Sequence, residues 1–227
     1  GTNLPHIVLQ PAQKDVGYTT DGLVNIHMFH YTPDAIVVKE DSEFKTLQNL
    51  IDFAKANPGK VTFSGSAKGS ANHLAQVTFD RLAGIKTTYV AFAGTAPSST
   101  ALLGGQVTAS WGYTTVPPQY AGTRMLAVAM DKRHPNFPDV PTFKELGFDL
   151  VSGAYRGIAV PASTPEEIRV KLGQMFQKIN DDPAFIKQME DNGFAMVNAP
   201  YGPELDKFMA KAKSDILRSA KEAGVIK

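Results

Sequence analysis

The sequence predicts an α/β protein of two lobes, with mixed but mostly parallel sheets flanked by helices. Three observations carry that prediction. Strand-like and helix-like segments alternate from about residue 35 to residue 130. A strand running into a loop of small residues and then a helix occurs twice in succession. After Met130 the text changes to a proline-rich loop and then to helices, which suggests a chain that returns to a first lobe after building a second.

Residues 1–30 read as irregular, because Gly17 and Gly22 break any period. Ala35-Ile36-Val37-Val38 is β-rich and bounded by Pro33 and Lys39, so it predicts a strand. Leu47, Leu50, Ile51 and Ala54 share one helical face, and Asn57-Pro58-Gly59 stops that helix. Val61-Thr62-Phe63 predicts the next strand. The helix after it turns Leu74, Ala75, Thr78 and Leu82 inward and stops at Gly84. The unit then repeats, with a strand at residues 88–92, a turn at 94–97 and a helix over 98–103. Strands follow at 107–111 and 124–130.

Beyond Met130, the three prolines between Asp131 and Pro141 predict a surface loop, and Thr142-Phe143-Lys144-Glu145 predicts a capping box opening a short helix to Gly147. A strand is expected at 155–160. Three helices finish the chain, starting at Thr164-Pro165-Glu166-Glu167, Asp182-Pro183 and Gly202-Pro203-Glu204. The last one has Leu205, Phe208, Met209, Ala212, Ile216 and Leu217 on its inward face. The expected lobes are residues 1–37 with 157–227, and residues 38–156. The chain would cross between them near Val37 and Tyr155.

Composition excludes several functions. Net charge is +1, with Lys, Arg, Asp and Glu interleaved, so nucleic acid and membrane surfaces find no charged stripe. Apolar runs fall short of the roughly 20 residues a bilayer span needs. The absence of cysteine removes disulfides, thiolate metal sites and cysteine nucleophiles. No signal peptide heads the chain, and a mature exported protein would have lost one. His27 and His30 lie in extended-looking text without a completing carboxylate, so no metal is expected. Asp181-Asp182 reads as a helix cap rather than a catalytic pair.

The strongest chemical signal is the stretch from Phe63 to His73. Its small residues let a ligand approach the backbone, and the free N–H groups of a first helical turn favour an anion. Ser66 and Ser70 add hydroxyls around Gly69, and His73 lies one turn in. In open α/β sheets ligands collect at the carboxyl ends of strands, where this loop must lie. The plainer reading is a strand-to-helix turn with Ser70 as N-cap. The stretch has no Walker A spacing and no Gly-x-Ser-x-Gly elbow. Gly94-Thr95-Ala96 repeats the arrangement, with Thr95 as a simple cap as the alternative. Trp111 and Tyr113 suit a pocket wall or the core. Arg156 suits a bidentate carboxylate grip or a surface ion pair.

These residues, in order, resemble a known family. Ser66…Gly69-Ser70…His73-Leu74, then Phe92-Ala93-Gly94-Thr95-Ala96-Pro97, Leu102-Leu103-Gly104-Gly105-Gln106-Val107, Pro138-Asp139-Val140-Pro141-Thr142 and the run from Gly157 to Pro165 are similar to Bug proteins. These are the periplasmic receptors of tripartite tricarboxylate transporters. The resemblance implies a type II periplasmic binding fold closing, by hinge bending at the crossings, on a small organic acid. It implies no cofactor and no catalysis, delivery to a membrane permease without insertion into the membrane, and a monomer. It places ligand contacts on Ser66, Gly69, Ser70, His73, Gly94, Thr95 and Ala96.

Three departures accompany it. The family's opening strand, Gly-rich ligand loop, helix and second strand are not found, which implies an incomplete first lobe. Thr108 stands where an acidic residue is usual, and Tyr155-Arg156 where many members carry Trp or another apolar side chain. The rival readings are an effector module of similar fold, an α/β enzyme, and a truncated paralogue without a transport role.

Overall fold

The structure is a computed structural model that describes residues 1–227 apart from the side chain of Asn198. The chain divides into two compact units, residues 1–31 with 154–227 and residues 32–153. It passes between them within strands β2 (Leu23–Lys39) and β7 (Gly153–Pro161). The expected boundaries at 37/38 and 156/157 lie a few residues further along the same two strands.

In the second unit, the later half of β2 pairs antiparallel with β5 (Ala109–Tyr113) on one side and with β6 (Thr123–Val128) on the other. Beyond β5 lie β3 (Thr62–Gly65) and β4 (Thr88–Ala91), and β3 runs parallel to both β5 and β4. The βα alternation therefore yields its parallel pairings among β5, β3 and β4. Strand β2 enters from the other unit and runs the opposite way. Residues 31–38 of β2 are all buried, the near-continuous burial of a strand covered on both faces.

Helix α2 (Leu47–Ala56) buries Leu47, Leu50, Ile51 and Ala54, the face its period predicts, and Thr46 caps it reciprocally with Asn49. Helix α3 (Ala71–Ala83) begins at the N-cap Ser70 and stops where Gly84 adopts φ 62°. Helix α4 (Thr95–Leu103) and the short α5 (Val116–Gln119) follow. The core is aromatic. Phe79 of α3 packs edge-on against Trp111 at 5.7 Å and Phe143 at 5.3 Å, and Trp111 stacks on Phe143 at 5.6 Å.

The first unit is built on antiparallel pairs. β1 (Thr2–Leu4) pairs with β7, β7 lies beside β2, and the early half of β2 pairs with β8 (Ala195–Pro200). Helices α1 (His6–Gln13) and α8 (Pro203–Glu222) enclose a core of Leu4, Ile7, Val8, Met28 and Leu205. Phe208, Met209, Ala212, Ile216 and Leu217 pack against it, the inward face expected of the last helix. Helices α6 (Glu166–Asn180) and α7 (Pro183–Asp191) precede β8.

Four expectations are corrected. Residues 1–30 hold β1, α1 and half of β2, and β8 interrupts the terminal helices. Both strands exist through partners distant in sequence, which no local pattern records. The capping box at Thr142–Glu145 forms, with Glu145 Oε2 accepting from Thr142 N at 2.7 Å and Thr142 Oγ1 from Glu145 N at 3.1 Å. It closes only a turn, because Gly147 at φ 90° and the return of Phe148 N to Phe143 O end it at once. Helix α6 starts at Glu166 with Pro165 as its N-cap, so Thr164 supplies no side-chain cap.

Phe79 touches three other rings of the aromatic core, those of Trp111, Phe143 and Phe148. Phe79→Ala is expected to lower unfolding stability by about 3–5 kcal/mol, measured by urea denaturation. A loss well under 1 kcal/mol would show that this core is not close-packed around Phe79.

Candidate functional site

Strands β3, β4 and β5 run in one direction, so their carboxyl ends share one edge of the second unit's sheet. Residues 66–70 leave β3 at that edge and lead into α3, while residues 92–94 leave β4 beside them and lead into α4. Phe92 N donates to Gly65 O at 2.9 Å, tying the two exits together. Tyr113 ends β5 at the same edge, half-buried and opposite Asp34 of β2.

Within the first loop, Ser70 is the N-cap, its hydroxyl accepting from His73 N at 3.4 Å. Gly69 N donates to His73 Nδ1 at 3.2 Å, which leaves the proton of the neutral ring on Nε2. Burial, with Lys68 adding to it, lowers the His73 pKa below its ordinary value and favours that neutral form. The backbone N–H groups of Ala67, Lys68, Ala71 and Asn72 have no acceptor among the described residues. At α4, Gly94 is the N-cap at φ 143°, a conformation open chiefly to glycine, and Thr95 is the first helical residue rather than the cap. The N–H groups of Thr95 and Ala96 are likewise without an acceptor there.

Beneath the loop lies a polar network that local sequence reading missed. Asn72 Nδ2 donates to Asp34 Oδ1 at 2.8 Å and to Gly112 O at 3.3 Å, and Ser152 Oγ donates to Asp34 Oδ2 at 2.6 Å. Ser66 Oγ donates to Asn72 Oδ1 at 2.6 Å, and the Tyr89 hydroxyl donates to Ser66 O at 2.6 Å. Gly65 is required here, since a Cβ on it would collide with the Tyr89 ring. Burial pushes Asp34 up to about 7, against the opposing pull of its bonds from Ser152 and Asn72. The signal for Asp34 was a lone acidic residue inside a run of strand formers, where an unpaired carboxylate is costly.

Two predicted residues fall elsewhere. Trp111 is fully buried against Phe63, Phe79 and Phe143, so the pocket-wall expectation is corrected and its ring belongs to the core. Arg156 sits in the first unit on β7, half-buried and opposite Asn3, with Nη1 donating to Tyr155 O at 3.2 Å. None of the salt bridges seen among the described residues involves it. Desolvation, and after it the Arg156 charge, lowers the pKa of His6 and takes that of His30 down to about 4. A recess of about 510 Å³ in the first unit, bordered by Gln174, Gln177 and Tyr201, holds none of the predicted residues. Among the described residues no His, Asp and Glu group is arranged to hold a metal, and no helix is long and apolar enough to cross a membrane.

Paired loop-to-helix starts at the carboxyl ends of neighbouring parallel strands belong to a fold shared with solute-binding proteins. The TctC solute-binding protein from Polaromonas superposes with a TM-score of 0.81 at 25% identity, covering 99% of this chain and 77% of that one. The match is also one of family: the model of the tripartite tricarboxylate transporter family receptor, TctC, covers residues 2–222, and the chain belongs to that family.

A UPF0065 protein from the gbd 5′ region of Cupriavidus necator is 33% identical over 178 residues, 76% of this chain and 51% of that protein. The chain spans about half the length of the curated relatives it matches. Rpa4515 of R. palustris, solved with adipate, shares the fold with a TM-score of 0.81 at 22% identity, over 98% of this chain and 76% of that one.

Raising the Asp34 pKa from 3.8 to about 7 links stability to pH. Between those values the folded chain keeps a proton that the unfolded chain releases, so this group's contribution to stability falls as pH rises through the window. Asp34→Asn, neutral and nearly isosteric, removes that term. The melting temperature of the variant relative to the parent is therefore expected to climb from about pH 4 to about pH 7. Melting curves that stay parallel across the range would show that Asp34 titrates normally. The comparison cancels Asp80, which burial raises to about 6, and the lowered histidines, which act in the opposite direction.

Proposed function

We propose that this protein is an extracytoplasmic receptor that captures a small carboxylated organic acid in the periplasm, without chemical turnover, and delivers it to the membrane permease of a tripartite transporter. One observation carries the reading. In a member of the receptor family, two adjacent helix starts present backbone N–H groups without acceptors at the carboxyl ends of β3 and β4. A carboxylate satisfies such donors and is favoured by the helix dipoles. The adipate found with Rpa4515 supports an acid as the ligand class.

The proposed contacts are Ser66, Gly69, Ser70, His73, Gly94, Thr95, Ala96 and Tyr113, with the Lys68 ammonium adding a nearby positive charge. Arg156 of the first unit is proposed separately as a carboxylate-binding residue. Its guanidinium suits a bidentate grip on a carboxylate.

A thermal-shift screen against mono-, di- and tricarboxylates tests the reading. The acid that binds is expected to stabilise the protein by about 2.7 kcal/mol at a free concentration near 100 times its Kd. Lys68→Glu, on the exposed part of the loop, is expected to weaken that acid about tenfold at low salt while leaving the unliganded melting temperature unchanged. A flat response across the whole panel would sink the receptor reading. Unchanged affinity of Arg156→Ala for every acid bound would remove Arg156 as a ligand residue.

A further inference from the structure

Each serine hydroxyl has one hydrogen to donate and two lone pairs to accept with. The network beneath the loop decides where the Ser66 hydrogen goes. Asn72 faces two acceptors on one side, Asp34 Oδ1 at 2.8 Å and Gly112 O at 3.3 Å. Its amide nitrogen must take that side, because a flipped amide would set Oδ1 against both oxygens. Asn72 Oδ1 is thereby turned to Ser66, where it accepts from the hydroxyl at 2.6 Å and from the backbone N–H at 3.4 Å. Asp34 is itself held by Ser152 Oγ at 2.6 Å and is fully buried.

Ser70 accepts from His73 N as the N-cap, and Tyr89 donates its own proton to Ser66 O at 2.6 Å. The loop's remaining donors are backbone N–H groups, the Ser70 hydroxyl and the Nε2–H of His73. Its Ser66 hydroxyl has only lone pairs left to offer.

We infer that Asp34 and Asn72 are positioning residues which, by fixing the direction of the Ser66 hydroxyl, make Ser66 an acceptor that selects carboxylates bearing a nearby hydroxyl or ammonium group over plain carboxylates. The inference rests on the carboxylate-receptor reading and narrows its ligand class. A plain carboxylate oxygen brought to Ser66 Oγ meets a lone pair, and moving the hydrogen to meet it would strand Asn72 Oδ1. A hydroxyl or ammonium donor meets no such conflict.

The test compares acids that differ by one hydroxyl: acetate with glycolate, succinate with malate, and phenylacetate with mandelate. Each is titrated calorimetrically into the protein and its variants. In every pair of which a member binds, the hydroxylated acid is expected to bind about tenfold tighter, the scale of one well-made hydrogen bond. Ser66→Ala is expected to bring the pair within about twofold, and Asn72→Ala, which frees the Ser66 hydrogen, is expected to do the same. Asp34→Asn keeps an oxygen for Asn72 and a donor for Ser152, so it is expected to retain the preference. Ser66→Ala leaves the Asp34–Asn72–Ser152 bonds in place, so the measurement stands even if Asn72→Ala unfolds.

Equal binding within each pair by the parent protein, or a preference that survives Ser66→Ala, would overturn this inference and leave the receptor reading intact. If no acid of either kind binds, both fall together.

Discussion

Asp34 is a carboxyl group at zero exposure, and the groups that answer it are two neutral donors, Ser152 and Asn72. A buried carboxyl without partners would cost several kcal/mol, so its hydrogen bonds constrain everything around it. Its backbone is equally engaged, with Asp34 N donating to Ser152 O at 3.0 Å and Ala129 N donating to Asp34 O at 2.8 Å. One residue of β2 thus holds the start of α3, the approach to β7 and the end of β6. It does so only a few residues from the points where the chain leaves the second unit.

The geometry of the loop proposed to hold the ligand follows from that anchor. Because Asp34 and Gly112 claim the Asn72 amide nitrogen, the Asn72 oxygen claims the Ser66 hydrogen. Tyr89, lying across Gly65, holds the Ser66 carbonyl from the far side. Each of these bonds is modest in net energy, near 1 kcal/mol. Together they leave the loop few alternatives. The aromatic cluster of Phe63, Phe79, Trp111 and Phe143 supplies the support below.

Local patterns made much of this legible. The face of α2, the Ser70 and Asp182 caps, the Gly84 stop and the inward face of α8 were each readable from residues within a few turns of one another. Those features depend on helical period and on caps, which act over three or four residues. The two loop-to-helix starts were readable for the same reason. Asp34, Asn72, Tyr89 and Ser152 were not read as parts of a site. Asn72 meets Asp34 across 38 positions, Tyr89 meets Ser66 across 23, and Ser152 meets Asp34 across 118.

The sequence by itself determined the alternation of strands and helices, the helix starts that lie beside one another, and the ordered motifs of the receptor family. Each is written in short-range spacing. Tertiary structure alone decided that Trp111 is core, that β8 and the first half of β2 are strands, and that the Ser66 hydroxyl points inward to Asn72. Those outcomes turn on which distant groups meet when the sheet closes. The direction of a hydroxyl proton is the extreme case, since the acceptor that claims it is itself oriented by a carboxyl group on another strand.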